Sequence, residues 1–220
     1  MTIEENILKI RQRVVLACSR ANRDPGGVAI VAVSKGRSTA EIRAAITSGI
    51  TDIGENRVQE AALKYKELAG AQIKWHLVGH LQTNKARDAV KMFDLIHSVD
   101  SLRLAEEINR QANKQNKVQA VLFQVNTSAE KSKFGLGPDE AEAVLSQAAA
   151  LKNINIAGLM TIAPLSDDPQ LVRPYFRRLR QLRDRINPAG VLSMGMTDDF
   201  EVAIEEGADL VRLGRAVFEG

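Results

Sequence analysis

The sequence predicts an α/β fold: eight parallel strands, each followed by a helix, closed into a single (β/α)8 TIM barrel and preceded by an amino-terminal helix. Three observations carry this. Eight short apolar runs alternate with amphipathic or alanine-rich helical segments across about 190 residues. Gly49, Gly70 and Gly207 stand where helices should stop. No strand is followed by a GxGxxG turn, the signature of an open dinucleotide-binding sheet. An open doubly wound sheet is the alternative topology, and the count of eight favours closure.

The first segment, "MTIEENILKIRQRV", has acids early and no unbroken apolar stretch, which argues against a signal peptide or membrane anchor. Ile3, Ile7, Ile10, Val14, Ala17 and Ala21 repeat at helical spacing and form one apolar stripe. Cys18, the sole cysteine, lies on that stripe, so core packing is its reading and a catalytic thiol the alternative. With one cysteine no internal disulfide forms, and a reducing, cytoplasmic setting is expected.

Strands are predicted at Val28–Val33, Thr51–Gly54, Ile73–Gly79, Leu95–Val99, Val118–Asn126, Ile154–Thr161, Val191–Gly195 and Asp209–Gly214. Helices follow at Thr39–Ser48, Asn56–Leu68, Thr83–Met92, Ser101–Gln115, Pro138–Leu151, Pro169–Ile186 and Asp198–Glu206, with Arg215–Phe218 as a last turn. No linker or low-complexity tract interrupts them, so residues 1–220 read as one domain. A net charge of +3 and 4% aromatic residues give no sign of a nucleic-acid partner or an anionic membrane. A monomer is expected.

The chemistry centres on Lys35. It follows the apolar run Val28–Val33 and precedes Ser38, which with Glu41 reads as a capping box. It therefore sits at the carboxyl end of strand one, where a barrel keeps its working loops. It is either a solvated charge or a buried amine, whose pKa burial and nearby cations would lower. Strand eight, which a barrel places beside strand one, reads "DLVRLGR"; its alternation turns Leu210, Arg212 and Gly214 inward. An inward arginine needs a ligand or a structural ion pair. Ser193, Gly195, Thr197, Gly214 and Arg215 supply hydroxyls, small residues and a cation on the loops after strands seven and eight, where barrels bind phosphate. Asp198 and Asp199 would repel a phosphate, so their side chains are expected to turn away. An amine, a phosphate site and an inward arginine together suggest a phosphorylated aldehyde with a ring between, as in pyridoxal phosphate.

The motifs "AVSKGRS", "DIGENRVQEA", "KWHLVGHLQTNKAR", "HSVDS", "KFGL", "GLMTIAP" and "LSMGMTDDFEVAIEEGADLVRLGRAVFEG" span the chain in order. Together they resemble the pyridoxal-phosphate homeostasis protein family (the YggS or PROSC type), its cyanobacterial members in particular. The resemblance implies the barrel of the alanine racemase N-terminal domain, shared by fold-type III pyridoxal-phosphate enzymes. It implies pyridoxal 5′-phosphate held as an aldimine on Lys35, with Arg212 at the pyridine nitrogen and Asn56 lining the ring. Ser193, Thr197, Gly214 and Arg215 would surround the phosphate, and His76 and Met160 would line the pocket. Arg215 departs from the small hydroxyl residue usual there, so its backbone N–H is the group expected to serve. The implied role is cofactor and amino-acid homeostasis, with apo-enzymes that use the cofactor as recipients.

An arginine at the ring nitrogen donates a hydrogen bond and no proton, which weakens the ring as an electron sink. The only tyrosines, Tyr65 and Tyr175, fall on predicted outer helices, and no second domain is expected to close the site. A non-catalytic carrier is therefore favoured over a low-activity amino-acid racemase. A cofactor-free lyase acting on a phosphorylated sugar is a third reading. His76 and His80, four apart, lack the acidic partner and the helix that a metal site would need, so none is expected. His97 is expected to make a local hydrogen bond. The arginines of "RPYFRRLRQLRDR" read as the solvated face of an outer helix, with an acidic or phosphate-rich partner as the alternative. Lys131 and Lys133 are either solvent charges or a second amine at the working face.

Overall fold

The computed structural model describes residues 1–130 and 133–220. Helix α1 (Ile3–Arg20) opens on a capping box in which Thr2 accepts the Glu5 N–H and the Glu5 carboxylate accepts the Thr2 N–H. Ile7, Ile10, Val14 and Ala17 of its stripe are buried, and Cys18 with them. Burial pushes the Cys18 thiol up, which makes it a packing residue and a poor nucleophile.

Eight parallel strands close a barrel in chain order: β1 (Ala29–Val33), β2 (Asp52–Glu55), β3 (Lys74–Leu77), β4 (Leu95–Val99), β5 (Gln119–Gln124), β6 (Ile154–Met160), β7 (Val191–Ser193) and β8 (Leu210–Leu213). The pairs Val31–Arg212 and Ala32–Leu213 join β8 to β1, and that closure rules out the open sheet. Between and after the strands run α2 (Thr39–Thr47), α3 (Val58–Glu67), α4 (Ala86–Met92), α5 (Leu102–Lys114), α6 (Pro138–Ala148), α7 (Arg173–Ile186), α8 (Phe200–Glu205) and α9 (Arg215–Phe218).

Four helices begin at least two residues later than the sequence suggests. Arg57, the residue before α3, is extended, so Asn56 belongs to the loop and not to the helix. Thr83–Lys85 and Pro169–Val172 form 3-10 turns ahead of α4 and α7; Pro174, near the start of α7, suits a first turn that has no use for its missing N–H. The α8 start shifts from Asp198 to Phe200, which leaves both aspartates in the loop after β7.

The apolar core is a shell between barrel and helices. Ala32, Ile53, Leu77, Ile96, Phe123, Leu159, Leu192 and Val211 point outward from successive strands into it. The barrel interior is mixed: beside the apolar Val31, Leu122 and Met160 it holds the buried polar residues Asp52, His76, His97, Gln124, Ser193 and Arg212. No helix among the described residues is long and apolar enough to cross a membrane.

Candidate functional site

A cavity of about 520 Å³ opens at the carboxyl ends of the strands, and Lys35, Asn56, Thr197, Arg212, Gly214 and Arg215 all line it. Six of the seven candidate residues thus share one wall system. Lys35 is exposed and not buried, and among the described residues no hydrogen bond or ion pair engages its Nζ. The question its position raised is answered by an amine presented at the surface of a cavity. Gly214 offers backbone only: a Cβ there would meet nothing nearer than Val33 O at 3.4 Å, so its absence widens the wall without relieving a clash.

Ser193, the seventh, is placed elsewhere. It ends β7 pointing into the barrel, is fully buried, and its hydroxyl meets His97 Nδ1 at 2.8 Å and the Arg212 guanidinium at 2.7 Å. The residues beyond the strand end, Met196 and Thr197, reach the cavity instead. His76 and Met160 are likewise absent from its wall. His76 is one layer deeper, bonded to Asp52 at 2.9 Å and to His97 at 2.9 Å, and Met160 is fully buried.

These contacts form a chain whose direction can be worked out. Burial, reinforced by His76 and Arg212, holds His97 well below the ordinary histidine range, so it is neutral. Arg212 can only donate, so the Ser193 hydroxyl accepts from it and donates its own O–H to His97 Nδ1. His97 then carries its proton on Nε2 and donates to His76 Nδ1, and His76 Nε2–H donates to Asp52. Burial opposes ionisation of Asp52, but the bonds from His76 and Thr51 outweigh it and hold the carboxyl below its usual value. In this orientation every group in the chain has a partner.

Arg212 has no carboxylate ion pair among the described residues; its acceptors are the Ser193 hydroxyl and Thr161 O at 2.8 Å. Burial pulls its guanidinium down to about 10, with Asp199 opposing, so it stays charged at neutral pH. Two of its five N–H groups are committed here, which leaves donors for a ligand on the cavity side.

The aspartates of the β7 loop divide. Asp199 turns away and accepts the Met196 N–H at 2.6 Å; burial pushes its carboxyl up. Asp198 does not turn away: it lines the cavity and pairs with Arg215 across the mouth. Sequence reasoning also missed His80 and Phe134, which line the same cavity with their rings stacked 3.9 Å apart. His80 Nδ1 lies 3.2 Å from Asp100. The available signal is its place just past a strand end, which the four-residue spacing from His76 obscures by suggesting a metal pair. Among the described residues no group of three or more histidine, cysteine, aspartate or glutamate side chains could hold a metal ion.

Lys131 lies outside the described residues. Lys133 pairs with Glu130 at 2.7 Å and lines an adjoining cavity beside Leu165 and Met196. The α7 arginines are less free than a solvated face implies, since Arg173, Arg177 and Arg180 converge on the buried Glu206.

Asn56 is held by a close backbone approach. A Cβ at Gly79 would fall 2.3 Å from Asn56 O and 2.8 Å from its Cα, an overlap that backbone must move to relieve. Gly79→Ala is therefore expected to displace the Asn56 loop, lower the melting temperature and weaken ligand binding, whereas Gly27→Ala, with open space around it and no positive φ, should leave both unchanged. Calorimetry and ligand titration on the two variants check this.

A parallel barrel with a lysine at the end of β1 and an inward arginine on β8 defines a class, and comparison with known proteins places the chain in it. Residues 3–220 match the family model described as alanine racemase, N-terminal domain. An alanine racemase of Clostridium difficile 630, solved with cycloserine, superposes with a TM-score of 0.74 over 94% of this chain and 58% of its own, at 13% identity; that likeness concerns the fold alone. The pyridoxal phosphate homeostasis protein of Aquifex aeolicus (strain VF5) is 42% identical over 219 residues, covering 97% of this chain and 96% of that protein. PipY of Synechococcus elongatus PCC7942, solved with PLP bound, has a TM-score of 0.85 at 36% identity and covers 99% of this chain and 100% of its own. The chain belongs to the pyridoxal phosphate homeostasis protein family.

Proposed function

We propose that this protein holds pyridoxal 5′-phosphate covalently through Lys35 and hands it on, as a carrier in cofactor and amino-acid homeostasis and not as a catalyst. The observation that carries the reading is the exposed Lys35 amine sharing one cavity with Arg212, Thr197, Gly214 and Arg215. The donor set fits the group. Thr197, the Gly214 backbone and Arg215 would hold the phosphate, Arg212 would meet the ring nitrogen, and Asn56 would line the ring. When bound, the cofactor supplies an electron-withdrawing ring and an aldehyde open to amines. PipY, a relative at 36% identity, is described with PLP bound, which supports the assignment.

The chain's own groups favour carrying over catalysis. Arg212 stays charged at neutral pH and donates without giving up a proton. Neither tyrosine lines the Lys35 cavity: Tyr65 packs on Trp75 at 5.8 Å, and Tyr175 packs on the outer shell. A racemase that works with a tyrosine opposite its lysine would need one of the two at the cavity wall.

The test is to incubate the cofactor-loaded protein with L-alanine, following D-alanine by chiral chromatography, and to run a parallel transfer assay to an apo-transaminase. The expected result is transfer of cofactor and no racemisation at rates typical of enzymes, about 1–1000 per second. Robust D-alanine formation that disappears in Lys35→Ala would overturn the carrier reading.

A further inference from the structure

Directly behind Lys35 lies a buried charge cluster that the proposed function does not use. Lys64, on the inner side of α3, is nearly buried, and Glu55 at the end of β2 is fully buried. Lys64 Nζ reaches Glu55 at 2.7 Å, Glu60 at 3.0 Å and Ser34 O at 2.6 Å, which uses all three ammonium hydrogens. Glu55 also accepts the Ser34 hydroxyl at 2.5 Å, and Glu60 accepts the Gly36 N–H at 2.6 Å. Every bond that leaves the cluster thus ends on Ser34 or Gly36, the two residues flanking Lys35.

This arrangement is costly as mere stabilisation. Two carboxylates share one ammonium, and Glu55 Oε2 is buried without a hydrogen-bond partner among the described residues. A buried pair of this kind is weak evidence for stability, because apolar side chains of similar volume often serve as well or better. What apolar side chains cannot do is grip a carbonyl on one side of a turn and an N–H on the other. Gly36 has φ +69°, the left-handed region, so the turn itself is tight and its direction depends on what holds its two ends.

We infer that Glu55, Glu60 and Lys64 form a clamp that fixes the Ser34–Gly36 backbone and thereby aims Lys35 Nζ into the cavity. They are positioning residues: none of the three lines the cavity. The inference rests on the reading that Lys35 takes an aldehyde. That capture exchanges the C=O bond for a C=N bond to Nζ and releases one water, so it needs no other reactant. Its rate depends on approach geometry, and misplacement by about 1 Å can cost a hundredfold.

The experiment compares two ligands on the full chain. Pyridoxal 5′-phosphate can be captured; pyridoxine 5′-phosphate has the same ring and phosphate but an alcohol in place of the aldehyde. Lys64→Met keeps the side chain's length without its charge. It should slow capture, followed by visible absorbance and by borohydride-fixed label on Lys35, about tenfold or more. Its affinity for pyridoxine 5′-phosphate should match that of the parent protein. Glu60→Gln, a milder variant that retains an acceptor for Gly36, should fall between the two and covers the case in which Lys64→Met does not fold. Equal weakening of both ligands, or capture at the parent rate in the folded variants, would overturn the clamp. A parent protein that takes no label on Lys35 would instead overturn the proposed function, so the two failures are distinguishable.

Discussion

Lys35→Ala is expected to abolish both the visible absorbance of the cofactor-loaded protein and the borohydride-fixed pyridoxyl label on this residue's peptide. The side chain is exposed and nothing among the described residues bonds its amine, so the substitution removes no packing and breaks no network. The unfolding free energy of the ligand-free variant should change by no more than is usual for surface substitutions, about ±0.5 kcal/mol. Some cofactor should remain bound through Thr197, the Gly214 backbone and Arg215, because those contacts do not depend on a covalent bond. Peptide mapping after borohydride treatment of the parent protein provides the control. A label found on Lys131 or Lys133 and never on Lys35 would contradict the assignment.

That Lys35 and Arg212 were legible while the depth of Ser193 and His76 was not has a physical explanation. Lys35 is fixed by chain order alone: an apolar strand, a short turn and a capping box at Ser38 and Glu41 leave it one place to be, and the capping box is there. Arg212 was legible through alternation, because Val211 and Leu213 suit the helix-facing shell and force the arginine inward. Alternation gives direction but not depth. Ser193 and His76 point inward as period two requires, yet they lie below the mouth and bond to each other's neighbours, not to a ligand. Depth depends on where each strand ends, and β3 and β7 stop at Leu77 and Ser193, two residues short of the ends read from the apolar runs. The same shortening is what lifts His80 and Thr197 to the cavity. The Glu55–Lys64 clamp was invisible for another reason. Its members sit on different elements, and "GENRVQEAALK" reads as an ordinary amphipathic helix until the β1 turn is packed against it. The ion pair between Asp198 and Arg215 is similar, since two loops meet only once β7 and β8 are adjacent in the barrel.

The second large effect is expected at Arg212. Arg212→Ala should lower stability by about 2–5 kcal/mol and strongly weaken cofactor retention, against about 0–1 kcal/mol and no loss of cofactor for Arg178→Ala. Both arginines donate to a backbone carbonyl, Arg212 to Thr161 O at 2.8 Å and Arg178 to Thr127 O at 2.6 Å. They differ in what surrounds that bond. Arg178 is exposed on α7, where water replaces a lost partner. Arg212 is buried, and its removal leaves Ser193 Oγ without a donor at the head of the chain that runs through His97 and His76 to Asp52. Arg212→Met separates the two roles. It fills the space without a charge, and because apolar replacement of a buried cation is often tolerated, it should recover part of the stability lost in Arg212→Ala. It cannot donate to a ring nitrogen, so cofactor retention should stay as low as in the alanine variant. Melting temperature and cofactor titration on the three variants decide the matter. Equal effects of Arg212→Ala and Arg178→Ala would refute the inward placement, and full cofactor retention in Arg212→Met would confine Arg212 to a structural role inside the barrel.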